Sequence, residues 1–150
     1  MKKTAIILAL LFVVALHSCK KSSTSTPITP VTTPGFTWTE DGGSNITADS
    51  AFFTMGTGGS TASYINAYKL GDPKKKMLEI NLNNNIASTY SIPAQGDFIL
   101  WNDVTFYGGT GGSVVVTLAT GGKASGTFDI TFTGGLYTHV KGSFTNIAIR

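Results

Sequence analysis

Residues 126–133 read Gly-Thr-Phe-Asp-Ile-Thr-Phe-Thr (GTFDITFT). Phe128, Ile130 and Phe132 alternate with Thr127, Asp129 and Thr131, a period of two that fits a β-strand with one dry and one wet face. Met77–Asn83 repeats the pattern, with Leu78, Ile80 and Leu82 set against Glu79 and Asn81. One-sided alternation is the mark of antiparallel sheets, which bury one face and leave the other to water.

Working outward, the chain after residue 35 shows almost no helical periodicity. Candidate strands are Gly35–Glu40, Ala51–Thr57, Ala62–Leu70, Met77–Asn83, Ala87–Ile92, Phe98–Tyr107, Ser113–Ala119, Gly126–Thr133 and Thr138–Arg150. Turn chemistry separates them: Asp41-Gly42-Gly43, Gly58-Gly59, Gly71-Asp72-Pro73, Asn83-Asn84-Asn85, Gly108–Gly112, Gly121-Gly122 and Gly134-Gly135, where glycine adopts positive φ without steric cost. Val114-Val115-Val116 is continuously apolar and predicts a more central strand. Short strands with a single dry face must bury it against another sheet, so the expected fold is all-β, an antiparallel β-sandwich or flattened barrel of about eight or nine strands.

The end of the chain holds a near repeat. Gly126-Thr127-Phe128-Asp129-Ile130 is answered by Gly142-Ser143-Phe144-Thr145-Asn146-Ile147, with one extra residue between Phe and Ile. An extra residue in a strand turns the following side chains to the other face. Phe144 and Ile147 can share a side only across a bulge, which predicts an irregularity at Thr145-Asn146.

The N-terminus, MKKTAIILALLFVVALHSCKK, has another character. Lys2 and Lys3 precede an apolar run from Ala5 to Leu16. Twelve residues make roughly 18 Å of helix, short of the ~30 Å hydrocarbon core, so the layout is that of a secretory signal peptide. The only cysteine, Cys19, closes this run. A lone thiol in an exported chain has no internal disulfide partner. Lys20 to Gly35, KKSSTSTPITPVTTPG, offers nothing to a core; as an extended tether it reaches up to about 50 Å. The organisation is thus a signal segment at 1–18, Cys19 with a Ser/Thr/Pro-rich linker at 19–35, and one β-domain at 36–150.

Leu16, Ser18 and Cys19 resemble a bacterial lipobox. The resemblance implies a diacylglycerol on the thiol and cleavage just before Cys19. More than one acyl chain makes a stable anchor where a single one is marginal. The stretches Ser88–Ile92, Ser113–Leu118, Ala124–Ile130 and Val140–Ile147 resemble a family of uncharacterised Bacteroidota lipoproteins. That implies a small all-β domain behind a lipid anchor, with no catalytic residues to carry over. The expected location is the outer membrane, on its periplasmic or its outer face.

The chain has 11 Lys+Arg and 8 Asp+Glu. Lys2 and Lys3 leave with the signal, so nine against eight remain, a net charge near +1. Such a surface is a poor electrostatic partner for nucleic acid. Lys74-Lys75-Lys76 follows turn residues and reads as a solvated loop.

Chemistry is sparse. Nucleophilic catalysis needs a nucleophile, a base and an orienting group. After Cys19 there is one histidine, His139, which reads as an exposed strand-edge residue. Glycoside hydrolysis needs two facing carboxylates, to be drawn from Glu40, Asp41, Asp49, Asp72, Glu79, Asp97, Asp103 and Asp129. Most lie in or beside turns. Soft-ligand metal sites are excluded by the lack of Cys/His pairs. Glu40–Asn45 offers hard oxygens to calcium, but as a plain turn before anything else. No cofactor is implied. Aromatic side chains are the best lead: Trp101, Tyr107 and Trp38 are the candidate ligand-binding residues, since sugar rings stack on exposed aromatic faces. Read as one strand, Phe98–Tyr107 sets Ile99, Trp101, Asp103, Thr105 and Tyr107 on a single wet face. The expected function is a non-catalytic envelope lipoprotein, held to the membrane through Cys19, for interaction with envelope proteins or for architecture. The alternatives are a glycan-binding module and, more weakly, a small glycoside hydrolase.

Overall fold

A computed structural model describes residues 35–71, 75–119 and 121–150. The signal segment, Cys19, the linker up to residue 34, Asp72 and Lys74 lie outside the described residues. Within them the fold is all-β. The strands are β1 (Gly35–Glu40), β2 (Ile46–Thr47), β3 (Ser50–Met55), β4 (Ser63–Lys69), β5 (Lys76–Leu82), β6 (Ser88–Ser91), β7 (Gly96–Asn102), β8 (Thr105–Gly108), β9 (Gly111–Ala119), β10 (Lys123–Thr131) and β11 (His139–Ile149).

All eleven join one curled sheet, in the order β6-β9-β10-β11-β3-β4-β5-β7-β8, with the β1–β2 hairpin also laid on β11. The curl buries the inner face against itself as a half-barrel. Phe98 of β7 meets Phe128 of β10 at 5.4 Å and Phe132 at 6.0 Å, while Phe36 stacks on Phe128 and Phe144. The alternating residues of β5 and β10 are where the pattern places them: Leu78, Ile80, Leu82, Phe128 and Ile130 are all buried.

The sheet departs from a purely antiparallel one at a single ladder. β11 runs parallel to β3 through Ala148↔Phe52 and Ile149↔Phe53. β1 and β3 share one flank of β11, β1 covering Val140–Thr145 and β3 taking over at Ala148. The handover falls where β11 bulges. Ala124 pairs with Ile147 and Gly126 with Phe144, so Ser125 alone faces Thr145 and Asn146. Asn146 takes φ 51° and its N–H donates to Ser125 Oγ at 2.9 Å. Phe144 and Ile147 consequently both lie in the core, at 1% and 3% exposure, as the extra residue in the near repeat predicts.

The repeat has a second consequence. Gly126 faces Phe144 and Phe128 faces Gly142, so each ring lies over the opposite glycine. A Cβ on Gly126 would stand 2.4 Å from Phe144 Cζ, and one on Gly142 would stand 2.6 Å from Phe128 Cζ. The two Gly-x-Phe segments form a reciprocal pair in which glycine makes room for the ring across the ladder.

Three expectations are corrected. Phe98–Tyr107 is two strands: Asn102 pairs with Thr105 across a turn at Asp103-Val104, and Asp103 takes φ 59°. The valine run is neither central nor buried on both faces: β9 sits one place from the sheet edge, Val114 and Val116 point inward, and Val115 lies on the outer face, 38% exposed. His139 is not at an edge, since it opens β11, flanked by β10 and β1.

Candidate functional site

The β7–β8 hairpin decides what the aromatic candidates can do. Directly paired residues share a face. Trp101 pairs with Phe106 and Leu100 with Tyr107, so Trp101 and Tyr107 look to opposite sides of the sheet. The single-face assignment fails because a two-residue turn folds the strand back and reverses its parity. Tyr107 turns inward and meets Tyr137 edge to face at 4.9 Å. Trp38 is also absent from the surface: it is 0% exposed, and its indole N–H donates to Glu40 Oε1 at 3.0 Å. Only Trp101 of the three stands on the outer face, half-buried, its rings 5.3 Å from those of Phe106.

Trp101 belongs to a row that crosses the sheet. Register carries it from Ser50 through Tyr68, Met77 and Trp101 to Phe106, one residue per strand from β3 to β8. Phe52 stacks on Tyr68 at 6.0 Å, and the Arg150 guanidinium lies 4.5 Å from the Phe52 ring. Beside this row run two more, Asn66–Glu79–Ile99 and Tyr64–Asn81–Asp97, which place amides and carboxylates next to the rings. The opposite arm of the outer face is of another kind. Thr89, Val115, Thr127, Ser143, Thr37 and Thr47 form one row from β6 to β2. An open depression of about 360 Å³ lies there, over Ser113, Thr127, Asp129 and Lys141. The outer surface is therefore divided, aromatic over β3–β8 and hydroxyl-rich over β6–β2.

At the inner mouth of the half-barrel a polar cluster joins the two arms. Lys76 pairs with Glu40, whose other oxygen holds the Trp38 indole. The Lys76 ammonium lies 5.6 Å from the Tyr137 ring centre, and Asn102 Nδ2 donates to Tyr137 Oη at 2.9 Å. Burial, followed by the Glu40 charge, pushes the Tyr137 phenol above its ordinary pKa.

Three of the other carboxylates weighed for hydrolysis are engaged elsewhere. Asp41 Oδ1 accepts from the Thr138 N–H and hydroxyl and from the His139 N–H, which holds its carboxyl below the usual range. Asp49 binds Lys69 at 2.8 Å and the Leu70 N–H at 2.7 Å, and is lowered likewise. Asp129 meets His139 Nε2 at 2.5 Å. The Glu40–Asn45 segment is a turn: Asp41 and Gly42 both take positive φ, and the Gly43 N–H returns to the Glu40 carbonyl. Among the described residues no group of three or more His, Cys, Asp or Glu is placed to hold a metal ion.

Sequence reasoning missed Tyr68, Met77 and Phe106 as neighbours of Trp101. Their common row exists only once the ladders are in register. Comparison with protein-family models, with curated proteins and with solved structures found no match to this chain.

Proposed function

We propose that this chain is a lipid-anchored protein of the bacterial outer membrane whose β-domain serves in interaction or architecture without catalysis. The observation that carries the reading is the position of Cys19, which ends the apolar run Ala5–Leu16 and opens a Ser/Thr/Pro-rich tract. An acylated cysteine at that point ties the domain to lipid, and the linker gives it reach. The divided outer face supports the interaction half of the reading, since a rigid sheet displaying a row of aromatics suits a partner better than a reaction. The test is Cys19→Ser in the full chain. Wild-type protein is expected in the membrane fraction, labelled by palmitate, and the variant is expected to be unlabelled and absent from that fraction. A variant that still pellets with membranes overturns the anchor.

A second reading, a glycan-binding module, is favoured by one feature. Trp101 stands in an aromatic row flanked by Asn66, Glu79, Asn81 and Asp97, a pairing of apolar and hydrogen-bonding surface that matches the two sides of a sugar ring. Trp101→Ala should abolish binding on a glycan array, and an array on which wild type binds nothing ends this reading. No observation among the described residues favours the third reading, a small glycoside hydrolase.

A further inference from the structure

The two edges of the curled sheet differ. At the β6 edge, the Ser91 N–H donates to the Gln95 side chain at 2.9 Å and the Ser91 carbonyl accepts from the Gln95 N–H at 2.8 Å. That edge is capped from within the chain. At the β8 edge no described residue forms such a cap. The Gly109 N–H donates to the Phe98 carbonyl at 2.7 Å, which fixes the alternation of the β7–β8 ladder: Tyr107 and Thr105 bond to β7, and Phe106 and Gly108 turn their N–H and C=O groups outward. No described residue pairs with these outward groups. Phe106 is 62% exposed and Val104, at the hairpin tip, 86%. Lys and Pro, the usual guards of an open edge, are both missing from Thr105–Gly108.

We propose that β8 pairs antiparallel with β8 of a second copy of this chain, forming a two-fold symmetric dimer with one continuous sheet. The occupant follows from the sequence of the edge. Phe106-Tyr107-Gly108 is a Phe-x-Gly segment, and centring the pair on Tyr107 sets Phe106 of each copy opposite Gly108 of the other. This is the reciprocal arrangement that the protein already builds between Gly126–Phe128 and Gly142–Phe144. A Cβ at Gly108 would meet nothing within 4 Å, so the space directly above that glycine is open to a ring from outside. The residues that turn their backbone outward, Phe106 and Gly108, are the ones this register joins, and a two-fold axis requires such self-complementarity. In the dimer each row Tyr68–Met77–Trp101–Phe106 continues across the seam into Gly108 of the second copy and from there into its row Ile99–Glu79–Asn66. The pairing rests on the edge alone and does not depend on the lipid anchor.

A four-residue ladder is a small interface, so the association is expected to be weak in solution and dependent on concentration. The test measures the protein mass of the detergent-solubilised full chain by light scattering, from micromolar to near-millimolar concentration. Wild type should move from one chain towards two per particle. Phe106→Lys puts a charge on the edge, and Gly108→Pro removes an outward N–H that no internal bond uses; each should weaken association at least tenfold. Thr89→Lys puts the same charge on the β6 edge and should leave association unchanged. Near-ultraviolet circular dichroism reports whether each variant is folded, and Gly108→Pro decides if Phe106→Lys is not. A wild type that stays at one chain throughout, or folded edge variants that associate as wild type does, overturns the proposal. So does a single chain that captures only an extended peptide from another protein.

Discussion

Deleting Asn146 tests the physical core of the fold. The deletion removes the bulge and leaves Thr145 alone opposite Ser125, so the β10–β11 ladder becomes regular with Phe144 still against Gly126 and Ile147 still against Ala124. Two places apart, Phe144 and Ile147 then share a face as Phe128 and Ile130 do, and Ile147 keeps its 3%-exposed position. The deletion loses the bond from the Asn146 N–H to Ser125 Oγ, about 0.5–1.5 kcal/mol, and releases the chain from the φ of 51° at Asn146, worth on the order of 1 kcal/mol. The two nearly cancel, so the expected change in stability is within about 1 kcal/mol, a shift in Tm of about 4–8 °C at most. Were Ile147 turned outward and Ala148 put in its place, the core site would change in effect from Ile to Ala, at a cost of about 2–5 kcal/mol. Urea and thermal unfolding followed by fluorescence measure it well, because Trp38 is fully buried and reports on the core. Asn146→Gly is the control, since it keeps the chain length and accepts the positive φ. If the deletion costs about 2–5 kcal/mol more than Asn146→Gly, the loss expected for an Ile-to-Ala change in the core, Ile147 has left the core and the argument from the near repeat is wrong.

Other outcomes follow from the same structure. Gly126→Ala would place a methyl group 2.0 Å from the Val115 carbonyl and 2.4 Å from Phe144; the expected loss is about 1–3 kcal/mol or more, read from the urea midpoint, and a neutral variant would show that Phe144 does not need this glycine. Asp41 and Asp49 both have lowered pKa values from hydrogen bonds to the charged form, so the folded state favours ionised carboxylates. Their stabilisation is present above the usual carboxylate pKa of about 4 and is lost as pH falls through that value and below. Asp41→Asn keeps an acceptor and tolerates positive φ, so its stability should fall less steeply with acid than that of wild type. Parallel curves would remove Asp41 from the acid response. At the alkaline end the raised pKa of Tyr137 has the opposite sense: its contribution is complete below the ordinary phenol value near 10 and is lost as pH rises through the higher folded value. Tyr137→Phe should flatten that loss.

What the sequence made legible was what lies within a single strand. Alternation in β5 and β10 needed no partner to be read, and neither did the residue count between Phe144 and Ile147. The same kind of reading was available for Trp38, because Phe36 and Trp38 alternate with Thr37 and Thr39, and both aromatics are core residues. What was hidden depends on where strands turn and which ones meet. Asp103-Val104 is a poor hairpin signal compared with Asn-Gly or Asp-Gly, and the flanking residues have strong β-propensity, so the turn reads as more strand. That one turn reverses the parity of everything after it and sends Tyr107 inward.

The candidate surface was hidden for the same reason. A cross-sheet row such as Tyr68–Met77–Trp101–Phe106 takes one residue from each strand, and no local period records it. Its members are spaced by loops whose lengths carry no register information. The parallel ladder between β11 and β3 is harder still, since it joins segments almost a hundred residues apart, Phe52 to Ala148. The reciprocal Gly/Phe pairs are the exception that links the two levels. A Gly-x-Phe segment is visible in the sequence, yet its meaning depends on the strand opposite. Inside the domain that strand is present, and the pairing is used twice within one ladder. At β8 the reversed segment, Phe-x-Gly, stands on an edge with its partner position empty of any described strand, and a second copy in antiparallel register again sets each ring opposite a glycine.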